Sequence, residues 1–308
     1  MTLAPLLSAA LDEGEGALLG LPGVPPADRR DRFRALLTIY ELHSAPLERV
    51  GSRAYWQHHP VVAGLKRTLE GGWIAELDAA PRPELPADPV AALRVLAARD
   101  RLPAVYQWLA KTATWAELLD FIALEGGPDA GFDDLVALGQ VGLAGSAKME
   151  LATNYWDEMG NGDPAGVHTA LHDRLVEAIS MPRVPLDSQP VAALERAALG
   201  GLLATNRWLQ PELLGALGLT ELQAGPRCRR VLQAFDRLQA PRAAYPFYAV
   251  HAEVDPRHGK DWLDKAVAPI ALERPDWAPR MVRGGWWRSA VNGRFFATLP
   301  ALVGRQAA

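Results

Sequence analysis

His251-Ala-Glu-Val-Asp255-Pro-Arg-His258 sets two imidazoles and a carboxylate at relative positions 0, 4 and 7. On a helix turning about 100° per residue, these side chains fall near 0°, 40° and −20°, a single narrow stripe. Two imidazole nitrogens and one carboxylate oxygen suit iron, manganese or zinc. Read as helix, the segment is one part of a metal site that other segments must complete. A second reading stays open: His251, Asp255 and His258 could form a surface ion-pair cluster. Pro256 bears on both, because a proline inside a helix removes a backbone hydrogen bond and kinks the chain, and Asp255-Pro256 could instead begin a new helix.

Outward from this stretch, Ala and Leu recur with a helical period between Pro and Gly punctuation. The pattern predicts helices over 27–43, 51–78, 89–99, 103–125, 132–159, 164–179, 188–209, 220–239 and 244–268. Strand signal is too sparse for an alternating α/β fold, and the short connections favour antiparallel neighbours in an all-α bundle. The proline-rich joint PRPELPADP, residues 81–89, divides an accessory helical region, 1–80, from a main body with its tail, 81–308.

A chain of 308 residues that is 49% hydrophobic can bury a substantial core. Its 32 Lys and Arg against 36 Asp and Glu, without a strong basic run, argue against a nucleic-acid partner. A single cysteine, Cys228, excludes an internal disulfide framework and cysteine-rich metal sites. No apolar run reaches membrane-spanning length, and Met1-Thr-Leu-Ala-Pro lacks a basic secretory start, so a cytoplasmic location is expected.

Two interruptions place further ligand candidates. Gly126-Gly127-Pro128 ends the helix that carries Glu125. Gly160-Asn-Gly-Asp163-Pro164 ends the helix that carries Glu158, with Asp163 as the expected N-cap and Pro164 as the first residue of the next helix, so Glu158 and His168 flank a sharp junction. Glu125, Glu158 and His168 are the candidates to meet the 251–258 stripe. Together the set holds three carboxylates and three imidazoles, and it suits two Fe(II) ions, since one ion would leave it over-anionic. His172, one turn after His168, is an alternative ligand or an orienting neighbour. Asn154 could contact a ligand, while Tyr155 and Trp156 could wall a pocket or pack in the core. In the tail, Trp286 and Trp287 are expected to pack, and Arg280 and Arg283 could meet a substrate carboxylate or stay on the surface.

The segments Asn154-Tyr-Trp-Asp-Glu158-Met-Gly-Asn-Gly, His168 and His251-Ala-Glu-Val-Asp255-Pro-Arg-His258-Gly resemble the haem-oxygenase-like diiron oxidase and oxygenase family, the iron-containing redox enzymes, over roughly residues 89–268. The family pattern has a helical Glu, a Glu followed ten residues on by His, and a late His-x3-Asp-x2-His. Glu158 with His168, and His251 with Asp255 and His258, match the last two elements. Glu125 is matched to the first, with Glu117, Asp120 or Asp129 as substitutes. The resemblance implies a haem-oxygenase-like seven-helix bundle with additional N-terminal helices, two Fe(II) ions as cofactors, and O2 as cosubstrate. It implies oxidation of a small amino acid or amine-bearing metabolite by desaturation, oxidative cleavage or N-oxygenation; an electron donor is expected as a further partner, and the 1–80 region offers a surface for a homodimer. The alternatives are a fatty-acid oxidative decarboxylase and a non-catalytic helical interaction protein.

Overall fold

The computed structural model describes residues 2–21, 23–125 and 131–303, with side chains to residue 299. The longer helices, in chain order, are α1 Leu3–Glu13, α2 Arg29–Ser44, α3 Pro60–Ala79, α4 Pro89–Arg99, α5 Ala104–Lys111, α6 Trp115–Glu125, α7 Phe132–Gly139, α8 Gly145–Glu158, α9 His168–Ala178, α10 Val191–Ala204, α11 Gln210–Leu238, α12 Tyr245–Asp261 and α13 Ala278–Val303. Among the described residues no strand forms, and extended backbone pairs only at an isolated bridge between Met159 and Val167. No described helix is long and apolar enough to cross a membrane.

Among the stretches expected as single helices, three are divided for a plain local reason. Pro60 holds His59 extended at ψ 133°, so a 3-10 stretch, Gly51–His58, precedes α3. Between α5 and α6, Thr114 and Glu117 form a capping box: the Glu117 carboxylate accepts from Thr114 N at 2.8 Å, and Thr114 Oγ1 accepts from Glu117 N at 3.3 Å. Gly142, at φ 79°, turns the chain between α7 and α8. The opposite happens at Pro256, where α12 runs on without a break. Proline leaves the carbonyl four residues earlier without its helical donor, and Arg229 Nη1 from α11 donates to that carbonyl, Ala252 O, at 2.7 Å.

The chain forms two compact units. One comprises Met1–Pro81 with Pro185–Arg207, so residues 185–207, read from sequence as part of the main body, pack with the N-terminal helices. In this unit α2 lies on α10, where a Cβ at Gly201 would come within 2.2 Å of the Tyr40 ring. Buried Glu195 of α10 accepts from Trp73 Nε1 and Arg29 Nη2, each at 3.1 Å, which offsets the cost of removing its charge from water.

The other unit comprises Arg82–Val184 and Trp208–Ala308 and is organised around α11. Against α13 the approach is nearly backbone to backbone. A Cβ at Gly215 would lie 1.8 Å from Met281 O, and one at Gly284 would lie 1.9 Å from Glu212 O. Beside this crossing, fully buried Glu212 accepts from Arg280 Nε at 2.9 Å and from Arg283 Nη1 at 3.1 Å. Arg280 and Arg283 therefore neutralise an internal carboxylate rather than meet a substrate. Trp286 and Trp287 are buried, the second under the Arg283 guanidinium at 4.3 Å, so both serve packing. Replacing Gly284 with Ala should cost about 1–3 kcal/mol or more, since backbone on both sides resists displacement. Urea denaturation followed by circular dichroism checks this, and an unchanged midpoint refutes the crossing.

Candidate metal centre

Three helices of the second unit carry the acidic and imidazole groups inward. On α8 the buried positions include Ala147, Leu151, Asn154 and Glu158, at helical spacing. Tyr155 and Trp156 turn away from that face. Trp156 is exposed and lies against Gly162, and neither aromatic lines the central cavity.

After Glu158 the chain doubles back. Gly160 (φ 62°), Asn161 (φ 54°) and Gly162 (φ 87°) are all left-handed. A Cβ at Gly160 would lie 2.5 Å from the backbone of Gly166. Asp163 does not cap a helix beginning at Pro164, because its Oδ1 accepts from Ala165 N within the turn at 2.9 Å. The Met159–Val167 bridge delays α9 until His168, which thereby starts a helix beside the end of α8.

From α12 come His251, Asp255 and His258, and from α11 comes Glu221. The α11–α12 contact is tight where these residues lie. A Cβ at Gly225 would be 3.0 Å from the Pro256 ring, and one at Gly259 would be 2.9 Å from Leu222 N. Each glycine sits close in sequence to a candidate ligand, so the contact sets the register between Glu221 and the His-Asp-His stripe.

Two groups of potential ligand atoms result: Glu158, His168 and His251; and Glu221, Asp255 and His258. Within each group the atoms lie within 4.8 Å of one another. Five of the six side chains expected from sequence are brought together in this way. Glu125 stands in neither group. It lines the same cavity and accepts from Tyr106 Oη at 2.8 Å. Of its substitutes, Glu117 is engaged in the capping box, Asp120 is in neither group, and Asp129 lies outside the described residues, as does Gly126-Gly127-Pro128. Glu221 was missed from sequence. The signal available for it was Gly225 one turn later on the same helix, a residue that admits a close neighbour.

Hydrogen bonds fix how each imidazole faces the centre. His251 Nδ1 lies 2.6 Å from Phe247 O, and since a carbonyl only accepts, Nδ1 carries the proton and Nε2 is left as a donor atom for a metal. His258 is held the other way. Its Nε2 donates to Asp157 Oδ2 at 2.8 Å, while buried Nδ1 has no hydrogen-bond partner and lies 3.7 Å from Glu221 Oε2. His168 Nδ1 approaches Glu158 Oε2 at 2.6 Å without hydrogen-bond geometry, and Asp255 Oδ2 is likewise buried without a partner. Asn154 Nδ2 donates to Glu221 Oε1 at 2.8 Å, so Asn154 does touch a candidate ligand. His172 lies against the edge of Phe247, whose ring also packs on His251. It braces the site through Phe247, and burial depresses its basicity.

The electrostatics fit a cation. Burial, together with the neighbouring Glu158 charge, pushes Glu221 up to about 8. Burial and the charges of Glu221 and Glu158 also drive Asp255 well above the ordinary carboxylate range. His251 is lowered by burial and by His168. Carboxylates this crowded must either hold protons or share cations. Buried nitrogen and oxygen atoms that face one another without hydrogen bonds supply the donor set of a borderline transition metal.

A family model described as iron-containing redox enzyme matches residues 124–293, which is more than half of the 308-residue chain. No curated protein gives a significant match.

Two outcomes follow. In the metal-free chain, folded Glu221 keeps its proton to about pH 8, whereas the unfolded carboxyl releases it near 4.5. The folded state therefore binds more protons across that window, and its stability falls as pH rises through it. Thermal melts of chelator-treated protein should show this fall, with a flatter slope in Glu221→Gln; a slope unaltered by the substitution argues against the assignment. Asp157→Ala removes the partner that fixes the His258 tautomer and should weaken Fe(II) binding about 10- to 100-fold with the fold retained. An anaerobic titration with unchanged affinity would reject that role.

Proposed function

The chain belongs to the iron-containing redox enzyme family and is an iron-dependent oxidoreductase, and we propose that it is a non-haem enzyme holding two Fe(II) ions and using O2 to oxidise a small amino acid or amine-bearing metabolite. The observation that carries this reading is the pair of three-residue groups meeting on one cavity, each a mixture of carboxylate and imidazole. Two divalent cations match their composition. Glu158, His168 and His251 would hold one, and Glu221, Asp255 and His258 the other. A non-catalytic interaction protein has no use for buried carboxylates crowded at such electrostatic cost.

When bound, ferrous iron supplies the electrons that activate O2, and carboxylate ligands tolerate its change of oxidation state. The residues of the chain then control the surroundings. Phe247 O and Asp157 hold the His251 and His258 rings in the tautomers that turn Nε2 and Nδ1, respectively, toward the centre. Asn154 fixes one oxygen of Glu221 and leaves the other directed at His258. On the cavity wall, the Tyr106 hydroxyl shares its proton with Glu125 Oε1, a place from which a proton can be lent to a bound small molecule. Phe132, Val231 and Phe247 keep that wall apolar and limit water.

Anaerobic titration should approach about two equivalents of Fe(II) per chain, with cooperative loss in His251→Ala, Glu221→Ala and Asp255→Ala. Mixing the loaded protein with O2 should give iron-dependent consumption that depends on the same residues. Full iron retention in all three variants, or no O2 consumption by the loaded protein, would defeat the proposal.

A further inference from the structure

The stripe of α12 that carries His251, Asp255 and His258 holds a proline, Pro256, between its second ligand candidate and its third. A proline in mid-helix withholds one backbone donor and crowds the preceding turn, which normally bends or ends the helix. A bend there would carry His258 away from His251 and Asp255, because the three share a face only while the helical period runs on. Yet α12 is continuous from Tyr245 to Asp261.

The repair comes from the facing helix. On α11, Glu221, Gly225 and Arg229 follow one another at intervals of four residues and share one face. Glu221 meets the ligand group of Asp255 and His258, with Oε2 3.7 Å from His258 Nδ1. A Cβ at Gly225 would lie 3.0 Å from the Pro256 ring. Arg229 Nη1 donates to Ala252 O at 2.7 Å, and that carbonyl is the one the Pro256 nitrogen leaves unserved. Each successive contact lies further along α11 and earlier on α12, so together they fix one antiparallel register. Pro256 packs on Gly225 and removes a donor in the same place, while Arg229 returns a donor from outside the helix. Water can satisfy a partly exposed carbonyl such as that of Ala252, but water does not tie it to α11.

We propose that Arg229 is a positioning residue of the metal centre, standing in for the backbone donor that Pro256 lacks and so keeping the three side chains of the stripe convergent. The inference rests on the metal reading of the site and adds to it a residue that holds neither ion. Charge is the competing route by which Arg229 acts. Burial and the charges of Glu221 and Glu158 hold the Asp255 carboxyl well above its ordinary range, and the Arg229 guanidinium works against them. The two routes separate at Pro256, because alanine there returns the N–H to Ala252 O and supplies no charge.

A double-mutant cycle of Arg229→Met and Pro256→Ala tests the pairing. Arg229 is exposed, so its substitution opens no cavity in the core. Two quantities are measured: Co(II) affinity by titration, and amide hydrogen exchange over residues 251–261 in the metal-free chain. With Pro256 in place, Arg229→Met should weaken Co(II) binding about 5-fold or more, the net worth of one hydrogen bond, and should speed exchange in the turn after Pro256. With Pro256→Ala already present, the same substitution should change either quantity by less than about 2-fold. Equal losses in the two backgrounds overturn the proposal and assign the effect to charge. Unchanged affinity and exchange in Arg229→Met also overturn it. A chain that takes up no Co(II) yet shows exchange dependent on both residues would refute the metal reading and leave the pairing of Arg229 with Pro256 standing. Co(II) uptake indifferent to Arg229 would do the reverse.

Discussion

The centre depends on how closely α11 can approach α12. Gly225 receives the Pro256 ring, and Gly259 receives the backbone at Leu222. Those contacts set Glu221 opposite Asp255 and His258, and neither helix can slide by a turn without driving a side chain into backbone or ring atoms. The same proximity creates the electrostatic cost. Carboxylates pressed together out of water raise one another's proton affinity, and the folded chain accommodates them only by holding protons or by sharing cations. Packing and metal chemistry are thus one constraint seen from two sides. Small residues permit the approach, and the charge that the approach concentrates calls for a counter-charge.

The other half of the centre is built by a backbone reversal instead of a helix crossing. Left-handed residues from Gly160 to Gly162, with Gly166 against Gly160, bring the end of α8 beside the start of α9. A side chain at Gly160 would collide with backbone that cannot yield, so the separation of Glu158 and His168 is fixed by the turn. Helical periodicity plays no part in it.

These origins explain what could be read from the sequence. His251, Asp255 and His258 were legible because a spacing of 0, 4 and 7 shares one face of a continuous helix, and α12 stays helical through Pro256, where Arg229 satisfies the freed carbonyl. Glu158 and His168 were candidates from their place on either side of a sharp junction, and resemblance paired them, since a ten-residue gap across a turn has no period. Glu221 was not legible. It lies within a long helix whose pattern says only that one face is buried, and its partner stripe is some thirty residues away. Glu125 was matched to the family's first Glu, and in the structure it stands in neither ligand group and accepts from Tyr106. The all-α character followed from local composition, whereas the packing of residues 185–207 with the N-terminal helices depends on long-range fit, such as Tyr40 against Gly201.

The opposite tautomers of His251 and His258 carry one more consequence. Nδ1 lies nearer the backbone than Nε2, so two histidines on one stripe of α12 present their lone pairs at different depths from the helix axis. In a two-metal centre the positions are then inequivalent from the outset. One is reached by an imidazole at full extension and braced by a main-chain carbonyl, the other by a ring drawn in close and braced by a carboxylate. Were two ions held there, the difference in basicity between those two braces would give them unlike ligand fields, an asymmetry written into the protein before any substrate arrives.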